Sequence, residues 1–171
     1  MSIWSDACIK QGQRCGKINI SPFNEDMIQP NSIDLTLDDE ILILNRYDDK
    51  FESILLSEYG DYDIDPYMFV LASTAEKVSL GNGVCAQVDG KSSYGRKGLL
   101  VHVTAGWVDS GFSGNITLEM ATLGQSIRLE AGMPICQLVL YDAYPSEKPY
   151  GSEGLGSHYQ GQTGVTKSWM K

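Results

Sequence analysis

No stretch of this chain keeps an apolar pattern for long. Its hydrophobic residues come in short runs, each cut off by glycine, proline or a cluster of Asn, Asp and Ser. Such a chain cannot build long helices, but it can pair many short strands. The clearest instance is Lys91–Glu119, which reads as turn, strand, turn, strand. Leu99, Val101 and Val103 alternate as a strand pointing into a core. Gly106, Gly111 and Gly114 interrupt the next stretch and leave Asp109 on a tight connection. In the last strand Ile116, Leu118 and Met120 point one way, Thr117 and Glu119 the other. A carboxylate on the face opposite a packed one can line a cleft. Ser92 is placed to cap a short helical turn, and Arg96, four residues on, shares its face.

The same signals recur along the chain. Strands are predicted at Ile18–Ile20, stopped by Pro22, and over Ile33, Leu35 and Leu37. More follow at Ile41–Leu44, Met68–Ala72, Lys77–Leu80, Val84–Val88, Ser126–Leu129 and Pro134–Tyr141. A short amphipathic helix is predicted over Ile3–Lys10. Residues 46–65, acidic with interspersed aromatics, read as a loop or irregular excursion. The spacing implies an antiparallel sandwich or barrel in one domain spanning 1–171. Residues 145–171 differ: glycine-rich, with tyrosines and glutamines that lack strand periodicity. They read as a tail that is mobile alone and orders over a ligand.

The formal charge is −9, and its location matters more than its size. Between Asp38 and Asp65 stand ten acidic and two basic residues, so the rest of the chain is nearly neutral. That block excludes a nucleic-acid polymer as partner, because phosphate contacts need clustered Lys and Arg. A single nucleotide needs only a few local donors. No apolar run is long enough for a membrane span, and Met1–Lys10 has no signal-peptide core, so a cytoplasmic protein is expected. Cys8, Cys15, Cys85 and Cys136 lack metal-ligand spacing and read as reduced thiols. Neither His102 nor His158 is followed by the Glu and paired cysteines of a zinc deaminase, so no zinc is expected. There is no phosphate-binding Walker loop and no nucleophile elbow.

Several motifs in order give a resemblance over nearly the whole chain. They are Gln29-Pro30, Ser32-Ile33-Asp34, Lys91-Ser92-Ser93 with Arg96, and His102 to Gly106. Val108-Asp109 with Gly111, Thr117-Leu118-Glu119 and Tyr159-Gln160-Gly161-Gln162 continue them. Together they resemble the dCTP deaminase branch of the dUTPase superfamily, and ordered motifs are a stronger signal than any single one. The resemblance implies a mainly all-β fold, the distorted jelly-roll β-barrel of dUTPases with a few short helices. Gly106-Trp107 before Val108-Asp109 resembles the bifunctional members, which convert dCTP to dUMP without releasing dUTP.

The implied chemistry needs water deprotonated, a ring nitrogen protonated and ammonia carried away. One carboxyl group can shuttle these protons. The resemblance gives that role to Glu119, with Ser92 and the Ala105 backbone holding the water. Arg96 offers several directional donors, and the resemblance places it in a site shared between the subunits of a homotrimer. Asp109 takes the sugar 3′-hydroxyl or orients a water at the α-phosphorus, a step that leans on positioning and charge neutralisation. Lys91, Ser92, Ser93, Tyr94, Gly95 and Arg96 form the implied phosphate turn. Thr117 and Leu118 face the base edge with their backbone. Gln137, Tyr150, Tyr159 and Gln162 match positions that touch base or triphosphate. Trp107 reads more readily as a core residue than as a wall of the site. Mg²⁺ is expected to arrive on the triphosphate, dCTP and dUTP are the expected substrates, and dTTP is an inhibitor of relatives.

The chain also departs from the pattern. Tyr94 and Lys97 stand where aliphatic residues are usual, and His158 replaces a commoner lysine, with Lys167 as a possible substitute. The loop from Ala121 to Gln125 is short. A dUTP-forming deaminase, a plain dUTPase using only Asp109, and a silent nucleotide-binding jelly-roll are the alternative readings.

Overall fold

The computed structural model of the chain describes residues 2–45, 47–48 and 50–170; Met1, Arg46, Asp49 and Lys171, all within predicted segments, lie outside the described residues. In chain order the elements are α1 (Asp6–Cys15), β1 (Ile18–Ser21), β2 (Ile28–Gln29), β3 (Ser32–Thr36), β4 (Glu40–Leu44) and β5 (Phe51–Leu55). Then come α2 (Leu56–Tyr59), β6 (Tyr62–Ile64), β7 (Phe69–Leu80), β8 (Val84–Gly90), α3 (Ser92–Gly95) and β9 (Leu99–Leu100). The last are β10 (Trp107–Val108), β11 (Ser113–Thr122), β12 (Ile127–Leu129) and β13 (Pro134–Asp142). One sheet runs β5-β4-β7-β11-β9 with β1 also on β7; another runs β10-β8-β13-β3-β2; β12 and β6 form a ribbon. Every pairing is antiparallel. The expected jelly-roll is the observed fold.

Period-2 patterning places the core between the two large sheets. Val70, Ala72, Val78, Leu118 and Met120 from one meet Ile33, Leu35, Leu138, Leu140 and Ala86 from the other, all buried. Burying each of the larger side chains contributes roughly 1.5–3 kcal/mol. Ile116 joins this face of β11, while Thr117 and Glu119 are only half-buried on the other, as the alternation predicts.

Other expectations need correction. The strands expected at Met68–Ala72 and Lys77–Leu80 merge into a single strand, β7, which begins at Phe69. The polar stretch between them stays in the sheet because its groups are paired. Buried Glu76 accepts from the Thr36 N–H at 2.9 Å and the Thr36 hydroxyl at 2.8 Å. The Thr74 hydroxyl accepts from the Ile116 N–H at 3.0 Å. Part of the acidic excursion forms strands: β5 returns along β4, and β6 pairs with β12. Its charges face outward, with Arg128 clasping Asp61 at 3.2 Å and Asp63 at 3.0 Å. That guanidinium holds the Asp63 carboxyl below the usual carboxylate range.

The first helix starts at Asp6, capped by Ser5, and not at Ile3. Ile3 bridges to Tyr141, and the Trp4 indole donates to Asp142 at 3.0 Å, so this stretch is drawn onto the sheet edge. Val103 is 45% exposed and not part of a strand, because the chain leaves β9 after Leu100. Lys91, not Ser92, occupies the N-cap of α3, which leaves the Ser92 side chain exposed. The four cysteines are free, and burial pushes the Cys136 thiol up. No helix among the described residues is long and apolar enough to cross a membrane.

Candidate active site

Strand alternation puts Glu119 on the outer face of β11, and the segment after β9 then fixes it there. The Val103 N–H donates to the Glu119 carbonyl at 3.0 Å, and the Glu119 N–H donates to His102 Nδ1 at 3.3 Å. The Thr104 hydroxyl donates to Glu119 Oε2 at 2.8 Å. One carboxyl oxygen is thus oriented by a neighbour from a different element. The segment closes on β8, where the Val88 N–H donates to the Gly106 carbonyl at 2.7 Å. A Cβ at Gly106 would lie 3.0 Å from the Val88 carbonyl oxygen, so this approach is tighter than a side chain ordinarily allows.

Beyond Gly106, β10 aligns Trp107 with Gln87 and Val108 with Ala86, and Asp109 comes directly after it. The turn after it is held by the Gly111 N–H to the Leu80 carbonyl at 3.0 Å and by Ser110 to the Val84 carbonyl at 2.8 Å. Gly111 takes φ +93°, the left-handed region that glycine enters without strain. Contrary to the core expectation, Trp107 is 48% exposed and stacks on Tyr141 with ring centroids 5.8 Å apart.

Residues 145–170 carry no strand or helix, but they are bonded to the body of the protein. They run along the edge of β11 that β7 leaves free. The Tyr150 N–H donates to the Ser110 carbonyl at 2.8 Å, Gly161 to Ser113 at 2.7 Å, and Asn115 to Gln162 at 3.1 Å. Further on, the Thr166 N–H donates to the Thr117 hydroxyl at 3.3 Å. The Tyr150 hydroxyl accepts from the Tyr159 N–H at 3.2 Å. His158 stacks on Trp169 at 3.7 Å, and Lys167 lies over the Phe51 ring at 5.5 Å, so both side chains are occupied within the chain.

These pieces enclose a cavity of about 550 Å³. It brings together Glu119, Asp109, Thr117, Ala105, Trp107, Tyr150, Tyr159 and Gln162. Gln162 Oε1 is buried without a hydrogen-bond partner among the described residues. Leu118 turns its side chain into the core and can offer only backbone.

The other expected site residues lie elsewhere. Lys91, Ser92, Ser93, Gly95 and Gln137 line a second cavity of about 630 Å³. Tyr94 packs against the core, and Arg96 is exposed at the C-terminal end of α3, on the wall of neither cavity. His102 lines both cavities, and its buried Nε2 has no hydrogen-bond partner among the described residues. Sequence reasoning assigned no role to Thr104 or His102, whose contact with Glu119 comes from tertiary folding of an irregular segment. Phe51, a wall of the Glu119 cavity, was hidden in the acidic excursion. Among the described residues, no group of three or more His, Cys, Asp or Glu is placed to hold a metal ion.

A family model for dCTP deaminase-like proteins matches residues 3–143. The "dCTP deaminase, dUMP-forming" of Methanosphaera stadtmanae is 43% identical over 187 residues, covering 100% of this chain and 95% of that protein. The protein of the same description from Streptomyces coelicolor is 44% identical over 177 residues, covering 96% of this chain and 93% of its own length. Among solved structures, a 2′-deoxycytidine 5′-triphosphate deaminase from Agrobacterium tumefaciens shares the fold with a TM-score of 0.70 at 18% identity. That match covers 82% of this chain but 48% of the other, so the chain spans about half the length of that protein. The family match over most of the chain and the end-to-end identity to these relatives lead to one conclusion: the chain belongs to the dCTP deaminase-like family.

Proposed function

We propose that this chain is a bifunctional enzyme that takes dCTP and two waters to dUMP, diphosphate and ammonia. The relatives described as dUMP-forming dCTP deaminases support the overall reaction. The observation that carries the chemistry is that Glu119 and Asp109 line one nucleotide-sized cavity.

In the first step Glu119 takes a proton from water as the water oxygen bonds to C4 of the cytosine ring. The carboxyl group passes that proton to the ring nitrogen, and a further proton transfer lets the amino group leave as ammonia. Thr104 holds one carboxyl oxygen and leaves the other to handle the proton. The backbone of Thr117 and Leu118 reads the base edge, and Gln162 Oε1 takes a donor from the ligand. In the second step Asp109 orients a water at the α-phosphorus, and the bond to the diphosphate breaks. Asp109 is the carboxylate on this wall of the cavity that would face a magnesium ion carried by the triphosphate, and such an ion would supply charge neutralisation at the phosphates.

Ser92 and Arg96 stand apart from Glu119 within one chain. The reading therefore includes a homotrimer in which a neighbouring subunit presents its Lys91–Arg96 turn to the Glu119 cavity. Backbone N–H groups and hydroxyls of that turn, with the Arg96 guanidinium, then bind phosphate and the reacting water. dTTP, a nucleotide of the same shape, competes for the site. Residues 145–170 close over the bound nucleotide.

Product analysis tests the proposal. Pure protein given dCTP and Mg²⁺ should release dUMP, diphosphate and ammonia in equal amounts, with no dUTP building up. Accumulation of dUTP without dUMP would reduce the enzyme to a deaminase. Hydrolysis of added dUTP without ammonia from dCTP would make it a plain diphosphatase.

A further inference from the structure

The second cavity holds a buried carboxylate that the proposed reaction does not use. Its floor is a row in register across the five-stranded sheet: Asp34 on β3, Gln137 on β13 and Asp89 on β8. Its rim is the start of the Lys91–Arg96 turn. Asp34 is only 6% exposed. Lys91 Nζ donates to its Oδ2, and Gln29 Nε2 reaches the same oxygen at 3.4 Å. The other oxygen, Oδ1, is buried with no hydrogen-bond partner among the described residues.

Apolar replacements of buried ion pairs are often neutral or stabilising, and unpaired buried oxygens are costly. Lys91 is in turn the residue from which the turn springs. Its carbonyl accepts the N–H groups of Tyr94 and Gly95, both at 3.0 Å. The peptide just before it is held too, since Gln137 Nε2 donates to the Gly90 carbonyl at 3.1 Å while Ser32 donates to Gln137 Oε1 at 3.1 Å. The entry to the turn is therefore anchored twice from the sheet floor, through the Gly90 carbonyl and through the Lys91 ammonium.

We propose that Asp34 is a positioning residue for the triphosphate: it acts through Lys91, tethering the ammonium so that its remaining N–H donors and the Ser92–Arg96 turn are preset for phosphate oxygens. An ammonium has three donors, so one spent on Asp34 leaves two for an anion. A lysine is otherwise a flexible point charge, and fixing it beforehand removes part of the ordering cost of binding. The inference rests on reading the Lys91–Arg96 turn as the phosphate site.

The test is a double-mutant cycle read in KM and kcat for dCTP. Asp34→Asn should raise KM about tenfold while kcat changes by less than about threefold, and Lys91→Met should raise KM at least as much. The double variant should be no worse than Lys91→Met alone, because Asp34 acts through that side chain. Asp34→Glu keeps the charge but moves it by one methylene, so it should also raise KM; a wild-type KM in that variant would overturn positioning. A raised KM in Lys91→Met with a wild-type KM in Asp34→Asn would overturn the inference and leave the phosphate turn standing. Effects that multiply in the double variant would overturn it as well. An unchanged KM in Lys91→Met would overturn the reading of the turn itself, and this inference with it.

Discussion

Two carboxylates share a cavity but sit in different local settings. Glu119 stands mid-strand with Thr104 on one oxygen, whereas Asp109 comes after a two-residue strand at the mouth of a glycine turn. The settings suit two roles, proton transfer at the base and water orientation at phosphorus. Replacing Asp109 by Asn should therefore slow diphosphate release by a factor on the order of 10²–10³ and leave ammonia release in place, so that dUTP accumulates from dCTP. Chromatography of the products reads this directly, and a wild-type yield of dUMP would remove Asp109 from the mechanism. At this scale Glu119 was legible, because two-residue alternation alone turns it away from the core. Trp107 was not, because its exposure depends on stacking against Tyr141, far along the chain.

Among the elements, β11 organises the site. Its inner face feeds the core, its outer face carries Thr117 and Glu119, and the part of its edge that neither β7 nor β9 pairs receives the C-terminal segment. Gly114 is in close contact with that segment: a Cβ there would lie 3.0 Å from the Gln162 carbonyl oxygen and 3.1 Å from Gln162 Cγ. Gly114 has no left-handed φ, so alanine fits the strand itself. Gly114→Ala should displace Gln162 from its place beside the strand by a few tenths of an ångström and raise KM for dCTP about tenfold. Its melting temperature should move by only about 2 °C, as expected if the core is untouched. An unchanged KM would show that Gln162 and its neighbours take no part in binding. The simple alternating strands were readable from residue type. β7 was not, because its polar middle survives only through pairing with Thr36 and across the sheet. β5 and β6 were hidden because charge patterning in residues 46–65 records the solvent side and says little of the backbone.

The whole molecule divides the expected site between two cavities. Ordered motifs were enough to indicate the family, since their spacing fixes which residues the strands present. They could not show that Ser92 and Arg96 fall away from Glu119 in one chain, because that separation belongs to packing. The proposed trimer reunites them across a boundary, and this has a consequence in mixtures. Arg96→Ala and Glu119→Gln chains, each inactive alone, should regain dCTP deamination when unfolded and refolded together. A trimer containing both then assembles some sites from two intact halves. Failure of mixed trimers to deaminate would mean that each chain uses its own turn.

In the proposed reaction one strand-borne carboxyl group, that of Glu119, carries the protons of deamination. The direct measurement is ammonia release from dCTP beside dUMP formation from added dUTP, both in Glu119→Gln. Ammonia release should fall by at least about 10³-fold while dUTP hydrolysis stays within about threefold of wild type. Ammonia released at the wild-type rate by that variant would contradict that role.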